Sequence, residues 1–163
     1  MNYTVTHLHT DFSSATTNID SVTKPLDYII RAKELGMTAI AFTEHGNILS
    51  WLKKKELCEE NGLKYIHGVE AYITETLDDK IKDNYHCCLY AKNWDGVKEL
   101  NKLVSNSFNR KDNHFYYVPR ISIDELINTS DNIIISSACL GGIFNKGNND
   151  IKLKYLKFFI KNN

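Results

Sequence analysis

The chain has 163 residues, 42% of them hydrophobic and 25% charged, and its 20 basic side chains balance 20 acidic ones. That suffices for one domain with a proper core and is too short for two large ones. Zero formal charge gives no overall pull toward nucleic acid or an anionic membrane, and the basic clusters at 53–55, 110–111 and 152–161 read as solvated faces rather than a phosphate track. No apolar run approaches the roughly 20 residues of a membrane span, and "MNYTVTHLHTD" has no apolar signal-peptide core. The cysteines are Cys58, Cys87, Cys88 and Cys139, two of them adjacent, which suits no ordinary disulfide framework. Reduced thiols in a cytoplasmic protein are the expectation.

The first predicted strand covers 3–9. Within it begins "VTHLHTDFS" (5–13), which sets two imidazoles, a carboxylate and three hydroxyls close together. Strand alternation puts His7 and His9 on one face, with Asp11 and Ser13 just beyond. Neutral imidazoles at that spacing can hold one divalent ion. A helix over 24–36 follows, with Pro25 near its start, Leu26, Ile29 and Ile30 on one stripe, and Gly36 as its stop. The second strand, 38–43, runs into Glu44-His45-Gly46-Asn47, and a second helix ends at Gly62. The third strand, 64–73, carries Glu70 in "GVEAYIT". The fourth, 85–91, holds His86, Cys87 and Cys88. His86 stands early in it, at the wrong end for a site at strand C-termini, unless pairing begins further back near Lys80 or Lys82. Cys87 and Cys88 should point to opposite sides. A helix over 93–108 places Val97, Leu100, Leu103, Val104 and Phe108 at spacings of three and four. Ser122 and Glu125 form a capping box for a short helix. The fifth strand, 132–137, leads to Cys139-Leu-Gly-Gly, and a last helix covers 150–161.

Alternating strands and helices argue for a parallel sheet with helical crossovers, either open and doubly wound or closed as a (β/α) barrel. No glycine-rich phosphate loop follows the first strand, and histidines stand there instead, which favours the barrel. Barrel enzymes build their sites at strand C-termini. Imidazole, carboxylate and thiolate converging from separate strands make a metal constellation.

"HLH" at 7–9, "TEHG" at 43–46 and Glu70 of "GVEAY" are the marks of a known family. So, more specifically, are "FTEHGN", "YIHGVEAYIT", "YHCCLYAKNWDGVKELNKLVS", "FYYVPRIS" and "SSACLGG", in order over almost the whole chain. The sequence resembles the PHP (polymerase and histidinol phosphatase) domain, in the version at the N-terminus of bacterial DNA polymerase III alpha subunits. The resemblance implies an α/β fold, a distorted (β/α)7 barrel of which residues 1–163 would supply the N-terminal part, about five strands. It implies divalent metal ions (zinc or manganese, with magnesium a third option) held by His7, His9, His45, Glu70, His86 and Cys139, Glu70 bridging. It further implies phosphodiester hydrolysis of the 3′–5′ exonuclease type, DNA as substrate of the parent polymerase, replisome partners including a proofreading exonuclease subunit, and no membrane. Two other readings stay open: a vestigial module bracing the polymerase, and a free-standing PHP phosphatase. The family usually reads "TDHG", so Glu44 is a departure; its longer side chain can still support His45, and it joins Asp20 as a further candidate at the metal site. A family aspartate aligns with Thr16, for which Asp20 is the nearby substitute. The family closes its site with an Asp-x-His on its last strand, which these residues do not reach, so weak or no hydrolysis, a weakly held ion and exposed sheet edges are expected of this chain alone.

Overall fold

The computed structural model describes residues 3–15, 20–78, 80–82 and 84–162; Thr16 lies outside them. Helix α1 (Pro25–Glu34) leads into β1 (Ala39–Phe42), and α2 (Trp51–Glu60) into β2 (Lys64–Thr74). Then follow β3 (Tyr85–Ala91), α3 (Trp94–Ser107), β4 (Phe115–Tyr116), β5 (Val118–Ser122) and α4 (Ile123–Ile127). The chain continues through β6 (Ile133–Ser137), α5 (Ile143–Lys146) and α6 (Asn149–Asn162). The result is an α/β fold with an open, partial barrel-like sheet of six strands among the described residues, in the order β4-β5-β2-β3-β6, with β1 also paired to β2.

The sheet is mixed, which corrects the parallel expectation. β1 and β5 both run parallel to β2, β1 along its first half (Ala39↔Lys64) and β5 along its end (Thr74↔Ser122). β3 is antiparallel to β2, and β6 to β3. A parallel return needs a crossover of a dozen or more residues, usually a helix. The link 75–84 shows no helix among its described residues, so the chain turns straight back.

Residues 3–9 are not a strand. Val5 and Leu8 accept from Ala41 N and Thr43 N (both 3.0 Å), but these acceptors are three residues apart where the donors are two. The extra residue breaks the register, and the Thr43 hydroxyl accepts the Leu8 N–H (2.9 Å) where a carbonyl would continue the ladder. The strands of "FYYVPRIS", β4 and β5, were legible only as a motif. They are a hairpin tightened at Tyr117, whose φ is +61°.

One sheet face buries Val69, Ala71, Ile73, Cys87, Leu89, Ile133 and Ile135 against α3, α4 and α6. A second cluster joins Ile29 and Ala32 of α1 to Ile40, Phe42 and Cys58. The predicted α1 stripe shifts accordingly: Pro25, Ile29 and Ala32 are buried while Leu26 and Ile30 are exposed, one step of 100° off the packed face. Cys87 meets Tyr155 of α6 (Sγ to Oη 3.3 Å), and Cys88 faces the other way, beside Ala41 and Tyr90. The opposite-sides expectation for this pair therefore holds, and all four cysteines are free thiols.

The capping box at Ser122 and Glu125 forms as predicted. Glu125 also accepts from His114 (Nε2 to Oε1 2.9 Å), which pairs with Asp112 through Nδ1 (2.7 Å). Burial works against a charged His114, but Glu125 and Asp112 outweigh it and raise its pKa. A raised folded pKa stabilises below the unfolded value of about 6.5 and is lost as pH rises through the folded one. The amides of Phe115 and Arg120, which bond Asn109 O and His114 O, should therefore lose hydrogen-exchange protection as pH climbs above that raised value. A His114→Gln variant should lose the pH dependence; protection that is flat with pH in the unsubstituted chain would refute the link.

Candidate metal centre

Beyond β1, one more backbone bridge joins His45 to Glu70: Glu70 N donates to Glu44 O (3.1 Å) and Gly46 N to Glu70 O (2.8 Å). Gly46 follows at φ +61°, and a Cβ there would meet Pro119 Cγ at 2.7 Å and the Tyr72 ring at 3.0 Å. Only glycine allows this turn, and it is the turn that delivers the His45 ring to Glu70. β3 supplies the other side. Because it runs antiparallel to β2, its first residues lie beside the end of β2, with His86 opposite Tyr72 and Cys88 opposite Glu70. His86 thus reaches the site at the start of its strand, with no earlier pairing needed. Cys139 follows β6, and the His86 N–H donates to Gly141 O (2.9 Å), which holds the Cys139 loop against the ring.

Glu70 is at the centre. Its side chain is 1% exposed, and Oε2 lies 3.2 Å from His7 Nε2, 3.0 Å from His9 Nε2 and 2.9 Å from His45 Nε2. Oε1 lies 3.1 Å from His86 Nδ1, which is also 3.3 Å from Cys139 Sγ. His7 and His9 do share a face, their Nε2 atoms 3.0 Å apart. Burial pushes the Glu70 pKa up, but His45, His7, His86 and His9 outweigh it and hold the carboxyl far below its usual range. Despite three nitrogens close by, buried Oε2 has no well-formed hydrogen bond. A divalent cation fits this donor set: it accepts lone pairs from imidazoles and carboxylate together and satisfies the orphaned oxygen. Ligand atoms of His9, His45 and Glu70 lie within 4.8 Å of one another, as do those of His7, Glu70 and Cys88, and those of Glu70, His86 and Cys139. Glu70 belongs to all three groups.

The structure therefore brings His7, His9, His45, Glu70, His86 and Cys139 together. Sequence reasoning passed over Cys88, fully buried on the Glu70 side of β3. The signal was there, since His86 and Cys88 repeat the i, i+2 spacing of His7 and His9. Asp20 stands behind the cluster, its Oδ2 3.0 Å from His45 Nδ1 while Nε2 of that ring points at Glu70. Burial disfavours a charged His45, and Glu70 and Asp20 raise its pKa above the ordinary value. Glu44 points elsewhere: its buried carboxylate accepts from Thr10 N, Thr10 Oγ1, Ser13 Oγ and Lys54 Nζ.

The PHP domain family model matches residues 6–163. Similar curated proteins are DNA polymerase III subunits alpha. That of Borreliella burgdorferi is 40% identical over 143 residues, which are 84% of this chain and 12% of that protein. That of Campylobacter jejuni is 36% identical over 98% of this chain and 13% of its own, and that of Helicobacter pylori 38% over 94% and 13%. The chain thus spans about an eighth of the length of these relatives. The ligand geometry and the extent of the family match agree, and the chain belongs to the PHP domain family, homologous to DNA polymerase III alpha subunits.

Proposed function

We propose that this chain is the N-terminal PHP segment of a bacterial replicative DNA polymerase, working in the cytoplasm, and that its His–Glu–Cys cluster is a metal-dependent phosphoesterase centre of the 3′–5′ exonuclease type. The observation that carries the reading is Glu70, an ionised, buried carboxylate ringed by four imidazoles with one oxygen left without a proper hydrogen bond. His7, His9 and His45 would hold an ion on the Oε2 side, and His86 with Cys139 on the Oε1 side. The mixed imidazole, carboxylate and thiol set suits zinc, and its imidazole–carboxylate part suits manganese. A divalent ion there supplies an acidified water and stabilises negative charge developing on a phosphodiester. Tyr72, whose ring centroid lies 6.1 Å from that of His45 and 5.0 Å from that of His86, packs beside both imidazoles. DNA and a proofreading exonuclease subunit are the partners this reading assigns to the parent polymerase. Among the described residues no helix is long and apolar enough to cross a membrane.

The test is cleavage of a 3′-labelled oligonucleotide with manganese or zinc, by this chain and by one extended through the family's closing Asp-x-His. Expected is EDTA-sensitive release by the extended chain and little or none by residues 1–163. Metal uptake without cleavage by either would overturn the phosphoesterase reading in favour of a bracing module. Equal activity in both would show the hydrolytic site to be complete within this chain.

A further inference from the structure

Glu44 and Lys54 are both buried, 1% and 2% exposed, and neither takes part in the chemistry proposed above. Lys54 Nζ reaches Glu44 Oε1 at 2.6 Å from the first half of α2. An ammonium, two hydroxyls and an amide N–H converge on this carboxylate, so it acts solely as an acceptor. That fixes the direction of the next bond. The single Ser13 hydroxyl proton goes to Glu44 Oε2 at 2.6 Å. Ser13 Oγ must then accept from its other two neighbours, the His45 amide at 3.2 Å and His9 Nδ1 at 2.8 Å. A ring nitrogen that donates carries the proton. His9 therefore turns its Nε2, 3.0 Å from Glu70 Oε2, toward the cluster as the coordinating nitrogen.

We propose that Ser13, clamped by the Glu44–Lys54 pair, is a positioning residue that fixes His9 with its proton on Nδ1 and thereby sets the metal affinity of the centre. The inference rests on the metal-binding reading and adds residues that reading does not use. It also gives Glu44 a purpose: the longer acid lies between Lys54 on α2 and Ser13 in the turn Asp11–Ala15, joining one to the other. Outer partners of this kind typically change metal affinity about 10–100-fold.

The experiment is a zinc titration against a chromophoric chelator, using the 163-residue chain and its Ser13→Ala, His9→Ala and doubly substituted forms. Ser13→Ala should weaken zinc binding by about 10–100-fold, and the loss should vanish when His9 is already alanine. Imidazole ¹⁵N spectra of the zinc-loaded unsubstituted chain should show a protonated His9 Nδ1. Unchanged affinity in Ser13→Ala would overturn the inference, as would a full-sized loss on the His9→Ala background, which would place the effect in the fold at large. A His9 protonated on Nε2 in the zinc-loaded chain would overturn it whatever the variants do. A chain that takes up no zinc at all would remove the metal reading itself, and this inference with it.

Discussion

Lys54→Met should cost about 3–5 kcal/mol of folding stability, the loss typical when one partner of a buried ion pair is removed. Among the described residues the ammonium is the one cation paired with Glu44, 2.6 Å away, and it also lies 4.9 Å from the Phe12 ring centroid and 5.5 Å from that of Phe42. Burial lowers the Lys54 pKa, with Glu44 working against that fall. The same pair, aided by Ser13 and Thr10, overcomes burial to lower the Glu44 pKa. Methionine fills the stem's volume but leaves a buried carboxylate with three neutral donors and no counter-charge. The measurement is urea denaturation in EDTA, so that metal linkage plays no part. Lys53→Met is the comparison: that ammonium is exposed and pairs with exposed Glu56 at 3.2 Å, an arrangement worth about 0–1 kcal/mol. Similar midpoints for the two variants would show the buried pair to be energetically ordinary.

Glu70→Gln should abolish stable metal binding while leaving the chain folded. Glutamine keeps the shape of the side chain but has one carbonyl oxygen, no charge, and an NH2 that cannot coordinate. Among the described residues each group of potential ligands in the cluster includes Glu70, so the remaining members should not compensate for its loss. The loss should exceed the 10–100-fold typical of outer partners. Elemental analysis after gel filtration should find metal in the unsubstituted chain and close to none in the variant. Thermal unfolding gives a second reading, since a ligand at 100 times its Kd stabilises by about 2.7 kcal/mol. Zinc should raise the melting temperature of the unsubstituted chain and not that of Glu70→Gln. Equal metal content in both would take Glu70 out of the centre.

Helix ends and the buried face of α3 were legible locally, because their causes are local, whereas the face of α1 was read one step off. Gly36 and Gly62 close α1 and α2 with φ of +72° and +75°, and the Ser122–Glu125 box starts α4. Leu100 and Val104 mark the buried face of α3. Strand direction was not legible, since alternation looks the same whichever way a neighbour runs. It was the antiparallel course of β3 that put His86 at the site, and hydrophobic pattern alone gave no hint of it.

The sequence by itself determined the candidate ligand types and most of their positions: paired imidazoles at His7 and His9, His45 after an apolar strand, a carboxylate at Glu70 inside one, and Cys139 after another. Those candidates follow from spacing, from their place at or beyond strand ends and, for Glu70, from the high cost of burying a carboxylate without a partner. Only the tertiary structure decided how they meet. Pairing of β2 with β3 turned Cys88 toward Glu70, and the turn at Gly46 swung His45 against it. Glu44, adjacent in sequence to a histidine of the cluster, was drawn instead to Lys54, ten residues on. A buried carboxylate settles where donors and a counter-charge converge, and that place is fixed by the packing of α2 against the sheet.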